Sequence, residues 1–279
     1  MRFGRDVLMG DNRIGRSDDG RARPPAGCPA AGDARRAPGC PGADSPLTDA
    51  APCARADSPA RIVAFDLDGT LVDGQSGSLV LRYLLSHGYV SNRALLRSAW
   101  WGIRYKLHLP HRQAEVREAI FRELKSRSTS EVTQIMRRFH QEVMVPRYRA
   151  QGLAEVARFR ENGAHTVIVS ATFDSIAQAS REFVGAEVAL ATVMEVGPDG
   201  RYTGRVQGEV TAGAEKLRRV RAYADGRFGA GNWVLTDAFG DHYTDGPLLE
   251  SAQRGHAVNP SPTLRRQAPL HGWEVLAWR

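Results

Sequence analysis

The stretch Ile62–Val72, which reads IVAFDLDGTLV, decides the fold of this chain. Its first four residues are apolar, and a short apolar run closed by a glycine-containing turn predicts a buried strand of a parallel sheet. In open parallel sheets, ligands bind beyond the carboxyl ends of the strands. Asp66 and Asp68 follow the apolar run directly. We therefore expect both carboxylates at a functional site of an α/β protein.

The spacing of Asp66 and Asp68 indicates the kind of site. Residues two apart point to the same side of an extended chain, and adjacent carboxylates repel each other unless a cation or a shared proton relieves them. Mg²⁺ is a hard divalent cation that suits such oxygen ligands. Gly69 allows a tight turn, and the Thr70 hydroxyl with the turn amides can hold an anion such as phosphate. The alternative is an ordinary acidic turn, since Asp-Gly is a frequent turn dipeptide.

This motif resembles the first motif of the haloacid dehalogenase (HAD) superfamily, whose first aspartate is phosphorylated and whose second is the general acid/base. The resemblance assigns these roles to Asp66 and Asp68. It implies an α/β, Rossmann-like core with a parallel sheet. Subfamily IB, which includes phosphoserine phosphatases, adds an α-helical cap after the first strand. We accordingly divide the chain into a core of residues 59–74 and 147–279 and a cap of residues 75–146.

Two further stretches resemble the second and third motifs of the family. Residues 165–169 are expected to form another buried strand, which is closed by Ser170, Ala171 and Thr172. The resemblance makes Ser170 a phosphate ligand, with Ala171 beside it in the substrate site, whereas the local sequence alone is equally compatible with a helix cap. Lys216 stands near the start of a helix, where a solvated lysine is the simpler interpretation. As the lysine of the third motif it would neutralise the phosphoryl oxygens and the nucleophile.

The fourth motif is a Gly-Asp-x-x-x-Asp pattern at the end of an apolar run that begins at Asn232. The resemblance makes Asp241 a ligand that completes a Mg²⁺ site with Asp66 and the main-chain carbonyl of Asp68. Mg²⁺ is therefore the expected cofactor.

Three other residues of these motifs have supporting roles. Asp245 would orient Lys216 or a metal-bound water, and the glycines Gly69 and Gly240 would support the turns that carry the acids. Asp237 is a rival acid in the same run, but it lacks the following glycine.

The cap segment has helical periodicity that predicts a bundle of about four helices. In the predicted helix 93–108, basic residues share one face beside Trp100 and Trp101. A solvated basic face is one interpretation. The other is a surface for a phosphorylated head group or for peripheral contact with an anionic membrane.

Residues 1–58 are rich in Ala, Gly, Pro, Arg and Asp and lack apolar periodicity, which predicts disorder. All three cysteines, Cys28, Cys40 and Cys53, lie there. The folded part therefore has neither a thiol nucleophile nor a disulfide framework, and a cytoplasmic location is expected. The net charge of +7 is spread along the chain, which indicates solubility. We expect no nucleic-acid partner.

The four motifs together imply Mg²⁺-dependent hydrolysis of a phosphomonoester through an aspartyl-phosphate. The expected substrate is a small-molecule or lipid phosphomonoester. Phosphoserine phosphatases usually carry a glutamate soon after the first motif, but residues 73–76 contain none. Asp73 is a candidate substitute, although it lies very near the strand. His242 also stands where serine is common in those enzymes. The alternatives are a phosphotransferase with the same core residues and a non-catalytic phosphate-binding module.

The sequence also predicts a hairpin beside the core. The apolar run Glu187–Val196 is expected to be its first strand, and Tyr202–Val206 its second. Gly197–Gly200 forms the turn between them.

Overall fold

A computed structural model describes residues 58–89, 124–125 and 127–279. Six parallel strands form its main sheet: β1 Ala60–Phe65, β2 His165–Phe173, β3 Val188–Thr192, β6 Trp233–Gly240, β7 Arg254–Val258 and β8 Glu274–Leu276. Two short antiparallel strands, β4 Met194–Val196 and β5 Tyr202–Val206, form a separate hairpin. The predicted α/β fold with a parallel sheet is confirmed.

The order of the strands places a crevice at the end of β1. The sheet runs β3-β2-β1-β6-β7-β8, so that β1 lies between β2 and β6. The chain moves to one side of β1 through β2 and β3, and to the other side through β6, β7 and β8. Such a reversal of strand order leaves an open crevice at the carboxyl ends of the strands, where ligands bind. Asp66 is the first residue after β1.

Helices cover both faces of the sheet and account for the apolar run of β1. The α-helices of the described residues are α1 Ser76–Ser86, α2 Thr129–Phe139, α3 Ala150–Glu161, α4 Asp174–Val184, α5 Ala214–Phe228, α6 Gly246–Ser251 and α7 Pro262–His271. Val63 and Phe65 are fully buried on the face that packs against α1 to α4. Ile62 and Ala64 are fully buried on the opposite face, against α5 to α7. Because both faces are covered, β1 is apolar at successive positions.

The inserted segment leaves and re-enters the core through two adjoining linkers. Val72 and Tyr148 form an antiparallel bridge, and the amide of Arg149 donates to the carbonyl of Leu71. The guanidinium of Arg149 lies 2.7 Å from the Asp73 carboxylate. The division of the chain at residues 74 and 146 stays a prediction.

Two helices of the predicted cap, α1 and α2, are present in the structure. A π-helical turn, His140–Met144, and a 3₁₀ turn, Val145–Arg147, continue α2 toward the core. The predicted helix 93–108 with Trp100 and Trp101 lies outside the described residues, as do the segment 1–57 and its cysteines. Among the residues described, no helix has the length and apolar character that are needed to cross a bilayer.

The predicted hairpin differs from the structure in its first strand. Glu187–Val196 is not one strand, because β3 pairs in parallel with β2 while β4 pairs with β5. The hydroxyl of Thr192 donates to the carbonyl of Ala171 and accepts the amide of Thr211. These bonds fix the end of β3 against β2, and the chain turns away after Thr192. An apolar run cannot by itself show that its two halves join different sheets.

Candidate active site

A lysine and two carboxylates form the buried centre of the site. Asp66 follows β1, Lys216 lies in the first turn of α5 and Asp245 precedes α6. The Nζ atom of Lys216 lies 2.6 Å from Asp66 Oδ1 and 2.6 Å from Asp245 Oδ1. Lys216 is 4% exposed, so it is not the solvated lysine that the local sequence also allowed. Burial alone would lower the pKa of Lys216, but Asp245 and Asp66 outweigh it and raise the pKa.

Three acidic side chains converge beside this lysine. Asp66, Asp241 and Asp245 each offer a carboxylate oxygen, and these oxygens lie within 4.8 Å of one another. One ammonium group cannot neutralise three carboxylates. Burial, together with Asp245 and Asp241, raises the pKa of Asp66 well above its ordinary value, against the effect of Lys216. Burial and then Asp245 raise the pKa of Asp241 to about 7. Surplus negative charge among oxygen ligands fits a divalent cation such as Mg²⁺.

Two glycines allow the acids to come this close. A Cβ atom at Gly69 would collide with the Asp241 carboxylate, and one at Gly240 would collide with Asp245. Gly69 also has φ of +82°, in the left-handed region that favours glycine. Both residues predicted to support the motifs therefore pack directly against an acid of the cluster.

Replacing Gly69 by alanine is expected to weaken Mg²⁺ binding by more than about tenfold. Losses of affinity of this size are typical when a residue that orients a metal ligand is changed. The added methyl group displaces Asp241. Gly163→Ala is the matched control, because Gly163 has φ of +71° and no atom within 4 Å of the added Cβ. Both variants carry a left-handed strain of about 1–2 kcal/mol. Isothermal titration calorimetry with MgCl₂ measures the affinity, and equal affinities in the two variants would contradict the expectation.

The phosphate ligands predicted from the motifs lie on the loops that follow β1 and in β2. The Thr70 hydroxyl lies 3.4 Å from Asp66 Oδ2. Ser170 is 1% exposed, and its hydroxyl accepts the amide of Thr172 at 3.2 Å. The carbonyl of Ala171 accepts the Thr192 hydroxyl. The strand continues to Phe173, four residues beyond the predicted end at Val169.

The side chain of Asp68 forms hydrogen bonds with the first residue of α1. Its Oδ1 accepts the amide of Ser76 at 2.9 Å, and its Oδ2 lies 2.6 Å from the Ser76 hydroxyl. The Ser76 hydroxyl also lies 2.6 Å from the hydroxyl of Thr172. Sequence analysis did not identify Ser76 and Thr172 as site residues. The only signal in the sequence is that each carries a hydroxyl group close to one of the motifs.

Asp237, the rival acid of the fourth motif, lies in a different network. Its carboxylate accepts two hydrogen bonds of 2.9 Å from Arg254 and lies 2.9 Å from His256 Nε2. Burial alone would raise the pKa of Asp237, but hydrogen bonds from His256, Arg254 and Thr236 outweigh it and lower the pKa. Asp237 is absent from the acidic cluster that the described residues form. We assign it a structural role.

Two residues considered for substrate binding also have local partners. Asp73, the proposed substitute for a substrate-binding glutamate, forms an ion pair with Arg149 at the linkers, and its side chain is 75% exposed. His242 Nδ1 lies 2.9 Å from the Thr244 hydroxyl, and the amide of His242 donates to Asp245 Oδ2 at 3.1 Å. His242 thereby helps to hold Asp245 in the cluster.

A buried carboxylate after the first strand, a paired lysine and an acidic cluster at one edge of a parallel sheet suit the binding of an anionic phosphoryl group together with a cation. A family model described as haloacid dehalogenase-like hydrolase matches residues 63–250. Phosphoserine phosphatase SerB1 from Mycobacterium tuberculosis is 29% identical over 246 residues, which cover 84% of this chain and 79% of that protein. The Inhibition of morphological differentiation protein from Streptomyces azureus is 29% identical over 222 residues, which cover 78% of each.

A solved structure has the same fold. The structure of a protein with unknown function from Bordetella pertussis Tohama I matches with a TM-score of 0.72 and 28% identity, covering 78% of this chain and 99% of that one. The family model spans more than half of the chain. The chain therefore belongs to the haloacid dehalogenase-like hydrolases. It is a phosphatase-type enzyme that resembles phosphoserine phosphatases.

Proposed function

We propose that this protein is a Mg²⁺-dependent phosphomonoester phosphatase that acts through an aspartyl-phosphate on Asp66. The observation that carries this proposal is the contact of 2.6 Å between buried Asp66 and Lys216 at the carboxyl end of β1. A carboxylate held by a fixed cation, in a crevice of the sheet, is placed to attack an anionic phosphoryl group. Lys216 offsets part of the repulsion between this nucleophile and the substrate.

In the first step, an Asp66 oxygen attacks phosphorus and the bond between phosphorus and the leaving oxygen breaks. Asp68 gives its proton to that oxygen, so that an alcohol leaves. In the second step, Asp68 takes a proton from water, and the water oxygen attacks the same phosphorus. The acyl-phosphate bond breaks, Asp66 is regenerated as a carboxylate, and inorganic phosphate is released.

Different residues hold the metal and the phosphate oxygens. Asp66, Asp241 and the main-chain carbonyl of Asp68 would hold Mg²⁺, which supplies positive charge against the phosphoryl oxygens when it is bound. Asp245 positions Lys216 through its contact of 2.6 Å. The remaining phosphate oxygens are held by a second set of groups: the hydroxyls of Ser170 and Thr70, the backbone of Ala171, and Lys216.

The proposed substrate is a small phosphomonoester, and phosphoserine is one candidate because similar proteins include a phosphoserine phosphatase. Asp73 does not support binding of a substrate ammonium group, since it is paired with Arg149. A lipid phosphomonoester is the second candidate. It rests on the basic face of residues 93–108, which lies outside the described residues.

Phosphate release from a panel of substrates tests the proposal. The panel contains phosphoserine, sugar phosphates, nucleotides and a lysolipid phosphate, each with MgCl₂ and with EDTA. We expect turnover that requires Mg²⁺, and the best substrate decides between the small and the lipid candidates. Added glycerol as a competing acceptor separates hydrolysis from phosphotransfer, because transfer yields glycerol phosphate. A folded, Mg²⁺-binding protein without turnover on any substrate would contradict the proposal.

Mg²⁺ binding is expected to strengthen as the pH rises through 7. The pKa of Asp241 is raised to about 7 in the metal-free site, so a proton competes with the cation below that pH. A single group of this pKa changes the affinity by about tenfold between pH 6 and pH 8. Calorimetric titration with MgCl₂ measures this ratio. Asp241→Asn is the control, because it removes this titrating group and should lessen the pH dependence; equal wild-type affinities at both pH values would contradict the prediction.

The same pKa shift has a consequence for stability. A carboxyl group whose pKa is raised by folding stabilises the folded state at low pH and loses that contribution as the pH rises through the folded value. We therefore expect the melting temperature of the EDTA-treated protein to fall between pH 6 and pH 8. Saturating Mg²⁺ is expected to reverse this fall at pH 8.

A further inference from the structure

The carboxylate of Asp68 is held by a chain of buried hydroxyl groups. Ser76 is the first residue of α1 and is fully buried. Its amide donates to Asp68 Oδ1 at 2.9 Å, and its hydroxyl lies 2.6 Å from Asp68 Oδ2. Thr172 is 4% exposed, and its hydroxyl lies 2.6 Å from that of Ser76. Asp68, Ser76 and Thr172 thus form one connected chain.

The directions of these hydrogen bonds follow from the charge of Asp68. An ionised carboxylate only accepts hydrogen bonds, so the Ser76 hydroxyl must donate to Asp68 and accept from Thr172. The Ser76 amide and hydroxyl thus contact both oxygens of the Asp68 carboxylate, and Thr172 in turn contacts the Ser76 hydroxyl.

We propose that Ser76 is a positioning residue for the general acid Asp68, and that Thr172 acts through Ser76. This inference rests on the proposed function. Thr172 lies two residues after Ser170 in β2, and Ser76 begins the first helix of the inserted segment. The hydroxyl chain thus ties the orientation of the acid to both the phosphate-binding strand and the start of the insertion.

A purely structural explanation has a different consequence. The N-cap of α1, Gln75, makes no side-chain cap hydrogen bond, and a carboxylate such as Asp68 can satisfy the amides of a helix N-terminus. If Asp68 merely capped α1, loss of the Ser76 hydroxyl would lower stability and slow all substrates alike. A positioned acid matters most for substrates whose leaving group needs a proton.

The test compares kcat/KM for two substrates in Ser76→Ala. Glycerol 2-phosphate has an alkoxide leaving group that needs the acid, whereas 2,4-dinitrophenyl phosphate has a leaving group that does not. We expect kcat/KM for glycerol 2-phosphate to fall by about tenfold or more relative to that for dinitrophenyl phosphate, a part of the 10²–10⁴-fold that a general acid contributes. Ser76→Thr keeps a hydroxyl and is expected to restore most of the ratio.

A double-mutant cycle tests the order of the chain. Thr172→Val should shift the same ratio in the same direction but less, and Ser76→Ala/Thr172→Val should be no worse than Ser76→Ala, because Thr172 acts through Ser76. Thr236→Val is the matched control. Thr236 is also a buried strand threonine, and its hydroxyl donates to the carbonyl of Ile62. Its ratio should equal that of the wild type.

An unchanged substrate ratio in Ser76→Ala, with an active wild type, would overturn this inference and leave the proposed function intact. Faster turnover of glycerol 2-phosphate in Ser76→Ala would also overturn it, because the serine would then restrain the acid in an unproductive position. Crystal structures of the wild type and Ser76→Ala decide the inference without activity. We expect the Asp68 carboxylate to rotate in the variant; an identical orientation in both would overturn it.

Discussion

Replacing Asp66 by asparagine is expected to lower phosphate release by at least about 10⁴-fold, the scale of loss when a nucleophile is removed. Asparagine has nearly the shape of aspartate, but its neutral amide cannot form the acyl-phosphate bond. The same variant is expected to form no acid-labile phosphorylated protein. Phosphate release and the recovery of labelled phosphoprotein after rapid quenching measure these two effects.

The stability of Asp66→Asn shows whether the lost activity has a chemical cause. Burial and two neighbouring acids raise the pKa of Asp66, so removal of its charge relieves repulsion in the metal-free cluster. Lys216 keeps its contact with Asp245. We therefore expect no fall in the melting temperature of the EDTA-treated variant at pH 8.

Asp237→Asn is the matched control for this experiment. It makes the same change at a buried aspartate of β6, three residues before the fourth motif, that bonds to Arg254 and His256. Its turnover is expected to remain while its stability falls, because two partners lose a charged acceptor. The opposite result, with turnover kept in Asp66→Asn and lost in Asp237→Asn, would transfer the nucleophile assignment to Asp237.

Replacing Lys216 by methionine is expected to damage both turnover and stability. Turnover should fall by about 10²–10³-fold, as when a group that stabilises developing charge is removed. The buried carboxylates of Asp66 and Asp245 lose the cation between them. Removing one partner of a buried ion pair costs about 3–5 kcal/mol. Urea unfolding of the EDTA-treated protein measures this loss.

The pH dependence of that loss identifies its cause. Protonation of the acidic cluster relieves the uncompensated charge, so the stability lost in Lys216→Met should be larger at pH 8 than at pH 6. Lys125→Met makes the same change at an exposed lysine and should alter stability by less than about 0.5 kcal/mol. Adding Asp245→Asn to Lys216→Met should recover part of the stability and none of the turnover. A loss that is equal at both pH values would contradict the electrostatic explanation.

Three of the motif residues could be located in the sequence because they lie at or near the carboxyl end of a strand. Asp66 directly follows β1, and Asp241 directly follows β6. Ser170 lies in the last part of β2. The carboxyl ends of neighbouring parallel strands share one edge of a sheet, so their approach follows from the fold class. Lys216 lies in a helix, and its local sequence favoured a solvated residue. Only its place among four motifs indicated its contact with Asp66.

The hydroxyl chain behind Asp68 was not predictable in this way. Ser76 and Thr172 are 96 positions apart, and serine and threonine are frequent at helix starts for local reasons. The ion pair of Asp73 with Arg149 spans 76 positions. It gives Asp73 a protein partner that the position of Asp73 in the sequence did not indicate.

The sequence by itself determined the class of fold and indicated the candidate reacting groups. Strand burial, turn chemistry and charge spacing are local properties, which the order of residues specifies directly. The tertiary structure alone decided which distant groups meet. It divided Glu187–Val196 between two sheets, and it brought Ser76 within hydrogen-bonding distance of Asp68. The physical reason is that a buried polar group must find a partner, and that partner is whichever group packing brings within hydrogen-bonding distance, often from a distant part of the chain.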